Sequence, residues 1–347
     1  MKLLVLGGTR FLGRHVVDAA LARDHDVTIF TRGRLAVPWT AGVRHLAGDR
    51  DPAVAPGLAA LAGGAWDAVV DLSGYVPRCV RASSAALAGR AAHCVYVSSV
   101  SAYAEPVAPG ADESAPLAVL DDPVSEDVPA NYGALKAACE REVVAAFGAA
   151  RATFVRPGLI VGPHDPTDRF GYWVARFLAS SLLGDRGGDV VVPGPRERPV
   201  QFVDARDLAA WLVVLAERRE AGVFNAVNET GRWTMGALVD ALLAAAGRAG
   251  RAPRPLWIDD DTLVAAGVAP WTGLPLWLPA SDPEFAGFMS IDGRRAHAAG
   301  LTERPLAETI DDTARWLAAR DNAGAWQRVL TAEQEHALVA GAAPRLR

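Results

Sequence analysis

Three observations predict an α/β fold built on a doubly wound parallel sheet. Strand-like and helix-like patterns alternate from the start of the chain to Arg156. The first apolar run, Leu3–Leu6, meets a glycine-rich turn with Gly7, Gly8 and Gly13, after which Phe11, Leu12, Val16 and Val17 begin a helical pattern. Later apolar runs are short and closed by small or polar residues, which is the signature of strands covered on both faces.

In order, a helix runs from the glycine turn to about Arg23, and a second strand, Asp26–Thr31, ends in Arg32-Gly33-Arg34. A third strand ends at Gly48-Asp49-Arg50. A fourth, Trp66 to Leu72, leads into Ser73-Gly74, and a fifth, His93–Val97, into Ser98-Ser99. A loop rich in proline and aspartate precedes a helix from Asn131 to Phe147 and a sixth strand, Thr153–Arg156. Beyond Gly162 prolines crowd the loops, and eight of the ten tryptophans lie there. Val200–Val203 reads as a strand, Asp204 as the N-cap of a helix over 205–218 with Asp207 in its first turn, and Gly222–Val227 as one more strand of the sheet. The division expected is a first domain over 1–162 plus about 200–230, and a smaller, discontinuous α/β substrate domain over 163–199 and 231–320. The closing helix is read at Leu306–Arg320, and 321–347 as a peripheral helix or tail.

The chain has 347 residues, enough for a large core, and a net charge of −5 without a basic tract, which argues against nucleic acid as a partner. No apolar run is long enough for a membrane, and the first residues already read as a strand, so no signal peptide is expected. Cys79, Cys94 and Cys139 are scattered, as for reduced thiols, which points to a cytoplasmic protein. Lysine occurs only at Lys2 and Lys136, so Lys136 invites a reason.

Tyr132 and Lys136 stand four apart on a helix and share a face. A free phenol titrates near a pKa of about 10, and an ammonium beside it would lower that value toward general acid–base work on an alcohol or carbonyl. Ser98-Ser99 closes the fifth strand, where ligands of open α/β sheets sit, so a serine hydroxyl there could hold a substrate oxygen.

Together Gly7 to Gly13, Gly48-Asp49, Ser98-Ser99-Val100-Ser101-Ala102-Tyr103, Tyr132-x-x-x-Lys136 and Arg156-Pro157-Gly158-Leu159-Ile160-Val161-Gly162-Pro163 resemble the short-chain dehydrogenase/reductase superfamily, in its extended branch of NAD(P)-dependent epimerases, dehydratases and reductases, over residues 1–320. The resemblance implies a Rossmann-type domain in which Ser99, Tyr132 and Lys136 are catalytic, Lys136 also binding the nicotinamide ribose. It puts cofactor along Gly7, Thr9, Arg10, Phe11, Leu12, Gly13, Arg32, Asp49, Arg50, Leu72, Ser73, Gly74, Ser98, Tyr132, Lys136, Pro157, Gly158 and Ile160. Asp49 would hold the adenine and Pro157–Ile160 the nicotinamide face. The middle glycine of the turn is replaced by Arg10, and no carboxylate ends the second strand. Arg10 and Arg32 are therefore read as a clamp for a 2′-phosphate, favouring NADP over NAD.

On the substrate side stand Ser101, His164, Arg169, Trp173 and Gln201. Trp173, Trp271 and Trp277 could line an apolar pocket or fill a core, and Arg169, Arg198 and Arg206 could meet a diphosphate. His164, Asp165 and Asp168 are too few for a metal. The expectation is an NADP(H)-dependent oxidoreductase acting on a carbonyl or alcohol of a small substrate of apolar or aromatic character, as monomer or homodimer. A sugar or sugar-nucleotide epimerase or dehydratase is the alternative. A non-catalytic cofactor sensor or RNA-associated relative is a second one.

Overall fold

The computed structural model describes residues 1–36, 38–39, 41–183, 188–321, 326 and 328–342. The chain forms β1 (Lys2–Leu6), α1 (Leu12–Leu21), β2 (Asp26–Thr31), β3 (Val43–Ala47), β4 (Trp66–Asp71), α2 (Pro77–Leu87), β5 (Ala91–Val97), α3 (Val128–Phe147) and β6 (Ala152–Pro157). It continues as β7 (Leu159–Val161), α4 (Arg169–Leu178), β8 (Asp189–Pro193), β9 (Phe202–Asp204), α5 (Ala205–Arg218) and β10 (Gly222–Ala226). The last elements are α6 (Met235–Arg248), β11 (Arg254–Ile258), α7 (Asp260–Ala265), α8 (Arg294–Ala298), α9 (Leu306–Ala319) and α10 (Ala332–Ala342).

Seven strands pair in parallel in the order β3-β2-β1-β4-β5-β6-β10. Alternate residues of β1 face opposite sides, as a pleated strand requires. Leu3 and Val5 pack with Val16 and Val17 of α1 and Leu208 and Leu212 of α5, while Leu4 and Leu6 pack with Val80 of α2 and Cys139 and Val143 of α3. Both faces are thus covered, and β1 needs apolar residues throughout. The order reverses between β1 and β4, so the carboxyl ends of these strands open a crevice.

A second core gathers Trp173, Trp277, Leu238, Leu242, Ile310 and Leu317, with the short parallel pairs β7–β9 and β8–β11. Asp204 caps α5 by accepting the Arg206 amide at 2.8 Å. The strand read at Val200–Val203 starts two residues later, because the Val200 amide donates to the Trp233 carbonyl at 3.1 Å and pairing with β7 begins only at Phe202. Helix α3 starts earlier than Asn131: Asp127 accepts the Ala130 amide at 3.2 Å, and Asn131 itself breaks the helical geometry (φ −125°, ψ 26°).

The reading of the tail as peripheral is corrected for its described part. Leu330 and Leu338 join the second core, and Glu335 of α10, fully buried, meets the Arg176 guanidinium of α4 at 3.0 Å. The rest of 322–347 lies outside the described residues.

Candidate active site

The turn between β1 and α1 is as tight as its glycines suggest. Gly7 and Gly8 have φ of 112° and 107°, and a Cβ on Gly8 would stand 2.9 Å from Ile29 Cγ2. A Cβ on Gly13 would stand 2.7 Å from the Gly8 backbone, so the start of α1 lies directly on the turn. The demand for a left-handed backbone falls on Gly7, Gly8 and Phe11 (φ 36°), not on Arg10. An arginine therefore replaces the middle glycine without backbone strain. Arg10, Arg32 and Arg34 are exposed, and among the described residues none has a carboxylate within ion-pair distance. A backbone cradle with no room for a Cβ, beside uncompensated guanidiniums, suits a ligand rich in phosphate.

Arg50 departs from its expected role. It forks onto Asp71 at the end of β4 (2.8 and 2.7 Å) and donates to Ser83 Oγ at 2.7 Å and Ser73 Oγ at 3.3 Å. Burial opposes charge on Asp71, yet the Arg50 contact and the Ser73 amide hold its carboxyl below the usual range. Arg50 is thus committed to tying the Gly48-Asp49 turn to β4, and offers no free fork to a cofactor. Asp49 receives the Asp51 amide at 3.0 Å and is half-buried.

Ser98 and Ser99 leave β5 at its carboxyl end. Ser98 donates its amide to the Val155 carbonyl at 2.7 Å, and its buried hydroxyl has no hydrogen-bond partner among the described residues. Ser99 is extended (φ −164°), and its Oγ accepts the Ser101 amide at 3.1 Å, opening a single tight turn over Val100–Ala102. Helix α3 is pressed against that turn: a Cβ on Gly133 would fall 1.9 Å from the Ser101 carbonyl oxygen. This contact brings Tyr132, the neighbour of Gly133, to Ser99.

Tyr132 is 36% exposed. Burial, then the neighbouring Tyr75 (ring centroids 6.4 Å apart), pushes its phenol above 10, against the opposing pull of the Ser99 hydroxyl and the Arg169 charge. The expectation that Lys136 lowers this value is corrected. The Lys136 ammonium is buried below the site, donating to the carbonyls of Gly74 (2.8 Å) and Val97 (2.7 Å) and to Tyr96 Oη (3.3 Å). Tyr75 and Tyr96 cover it with their rings at 4.9 and 4.8 Å. All its protons are engaged with groups other than Tyr132, so it fastens β4 and β5 together under the phenol rather than charging it.

Burial lowers Lys136 to about 8 from 10.5, with Asp71 opposing. The unfolded chain keeps this proton up to its higher value, so between these two pH values it binds more protons than the folded one, and stability rises with pH. The cost of the buried charge is present below about pH 8 and is relieved above it. Cys94, Cys139 and Tyr96, all raised by burial, act the other way at higher pH. Urea unfolding at pH 7.5 and 9.5 should therefore show wild type gaining on the order of 2 kcal/mol relative to Lys136→Met. Parallel profiles for the two proteins would defeat this account.

Other expected residues are placed plainly. Pro157 ends β6, Ile160 is half-buried, and a Cβ on Gly158 would stand 2.8 Å from Val227. Ser101 lines the Ser99 turn. His164 lies against His15 and Trp316 (centroids 5.7 Å from each), and burial lowers it to about 4.

Two substrate-side expectations are corrected. Trp173 is fully buried and donates to the Pro275 carbonyl at 2.9 Å, and Trp277 is equally buried. Gln201 is spent on backbone: it donates to the carbonyls of Ile291 (2.8 Å) and Asn228 (3.1 Å) and accepts the Ile291 amide at 2.8 Å. Arg198 is held by Asp260 and the Gly194 carbonyl, and Arg206 by Asp204 and Asp312, so neither faces a diphosphate.

One residue was missed: Tyr75, directly after Ser73-Gly74, could have been found from its place at the end of β4. Trp271, expected to line a pocket or fill a core, packs partly buried against the second core under Arg169.

With this geometry, comparison with known proteins becomes informative. Residues 3–228 match the NAD dependent epimerase/dehydratase family. Over 186 residues the chain is 34% identical to the 2-alkyl-3-oxoalkanoate reductase of Stenotrophomonas maltophilia, covering 48% of this chain and 52% of that protein. Over 272 residues it is 26% identical to the chloroplast stem-loop binding protein of 41 kDa b of Arabidopsis thaliana, covering 73% of this chain and 64% of that one. The chain thus spans about half of the first relative's length and under two thirds of the second's. WbmH of Bordetella bronchiseptica, solved in complex with NAD+, superposes with a TM-score of 0.65 at 17% identity over 92% of this chain and 98% of that one. Human epimerase family protein SDR39U1, solved with NADPH, does so at 0.56 and 19% identity over 91% and 99%. These two likenesses bear on the fold, a Rossmann-type sheet. The family match covers well over half of the chain, and the chain belongs to the NAD dependent epimerase/dehydratase family.

Proposed function

We propose that the protein is an NADP(H)-dependent reductase of a carbonyl group on a small substrate, and the observation that carries this reading is the Ser99–Tyr132 pair held together by Gly133 at the carboxyl end of β5. Ser99 positions the carbonyl oxygen, and Tyr132, kept protonated by burial, gives its proton to that oxygen as negative charge develops there. Lys136 holds the ends of β4 and β5 in place beneath both groups. A bound nicotinamide dinucleotide supplies the hydride; the Gly7–Gly13 turn, Asp49, Ser73-Gly74, Ser98 and Pro157–Ile160 would hold it. Arg10 and Arg32 select its 2′-phosphate, in the absence of any carboxylate at the end of β2.

The relative from Stenotrophomonas, named for reduction of an oxoalkanoate, supports carbonyl chemistry. The commitment of Arg198 and Arg206 to internal carboxylates tells against a sugar diphosphate. The net charge of −5 tells against RNA.

The reading is tested by mixing the protein with NADPH or NADH and a panel of ketones and aldehydes and following nicotinamide absorbance. Turnover should favour NADPH, and Arg32→Ala should reduce that preference by roughly tenfold to a hundredfold, the worth of a charge-assisted contact. An unaltered preference sinks the clamp. Cofactor that co-purifies and never exchanges favours the epimerase instead.

A further inference from the structure

Arg169 opens α4 at the edge of the site, its guanidinium 5.1 Å above the ring of Trp271, which Phe288 braces edge-on at 5.3 Å. Its charge acts on Tyr132, and it feels a second positive charge from Arg328. Among the described residues neither Arg169 nor Arg328 has a carboxylate within ion-pair distance, whereas Arg176, Arg198 and Arg206 in the same half of the chain each have one. The nearby acid, Asp165, is 2% exposed; one oxygen takes the Thr167 amide at 2.8 Å and the other, buried, has no hydrogen-bond partner. Burial pushes this carboxyl up to about 6, so at pH 7 it is still largely ionised and sets one negative charge against the two arginines.

Two positive charges that act on each other against a single carboxylate leave net positive charge beside a proton donor, which a further anion would neutralise. With its flat face on Trp271, Arg169 has its edge N–H groups to offer, a planar fork matched to the two coplanar oxygens of a carboxylate. We propose that Arg169, stacked on Trp271 and reinforced by Arg328, receives a carboxylate of the substrate, so that the carbonyl presented to Ser99 and Tyr132 belongs to an oxo acid. This rests on the reductase reading above and narrows its substrate class.

The experiment compares an oxo acid with its methyl ester as NADPH-dependent substrates, together with binding of hexanoate to the NADP+-loaded protein by tryptophan fluorescence. Wild type should prefer the acid by about tenfold or more in kcat/KM. In Arg169→Met that ratio should fall toward one through a raised KM for the acid. Arg169→Lys, which keeps charge but loses the fork, should lie between. Hexanoate should bind wild type and not Arg169→Met. Equal use of acid and ester by wild type, or the same ratio in the methionine variant, would overturn the carboxylate site. If no carbonyl is turned over, the reductase reading fails by itself. Hexanoate binding then still decides the site, which falls if wild type does not bind it or Arg169→Met binds it equally.

Discussion

Tyr132→Phe should lower kcat by about a thousandfold, within the range general acid catalysis supplies, while NADPH affinity changes by less than about twofold. Among the described residues, the phenol is the titratable side-chain proton donor that acts on Ser99. Phenylalanine keeps the ring against Tyr75 but removes the group that transfers the proton. Because burial raises the phenol above 10, wild-type reduction should be insensitive to this group across neutral pH and decline only in strongly alkaline solution. The reverse reaction, which needs the phenolate, should rise with pH over the same interval. Single-turnover oxidation of NADPH separates the chemical step from release. Near-normal turnover in the variant would remove Tyr132 from the mechanism.

Gly133→Ala should cost about a hundredfold in kcat and on the order of 1–3 kcal/mol in stability, although it adds one methyl group to a helix. In the native packing that methyl would lie 1.9 Å from the Ser101 carbonyl oxygen, a backbone atom that cannot rotate away. Helix α3 must therefore retreat from the Ser99 turn and take Tyr132 with it. The ordinary benefit of alanine over glycine inside a helix, about 1 kcal/mol, is the opposing effect and is the smaller one. Turnover and thermal unfolding of the same sample would check both. A more stable and fully active variant would show that α3 is not seated as described.

Much of the first core was legible because its signals are local. β2 runs over Asp26–Thr31 as its apolar run indicated, Asp204 caps α5, and β10 returns to the sheet beside β6. The approach of Tyr132 to Ser99 could be inferred only by resemblance, since a separation of 33 residues leaves no periodic trace. The engagement of Lys136 was misread for the same reason: its partners, Gly74 and Val97, are 62 and 39 residues away. Arg50 and Asp71, 21 apart, each look like free surface charges in sequence, and only the fold makes them one buried pair. Gln201 and Trp173 looked available because sequence does not disclose that backbone carbonyls wait for their donors. The C-terminal segment looked peripheral in sequence, yet Leu330 and Leu338 seat it on the second core where Glu335 meets Arg176.

The seating of Glu335 has a mechanical consequence. Arg169 and Arg176 stand on one rigid rod, α4, about 10 Å apart along its axis. The far end of the rod is gripped by α10 through Glu335, and its middle by the Trp173 bond to the Pro275 carbonyl. The aim of Arg169 toward the site is thus set by parts of the chain more than a hundred residues downstream that touch no reacting atom. A change in the C-terminal helix that loosens Glu335 from Arg176 would therefore be felt at the start of α4, with the nucleotide end of the molecule left as it is.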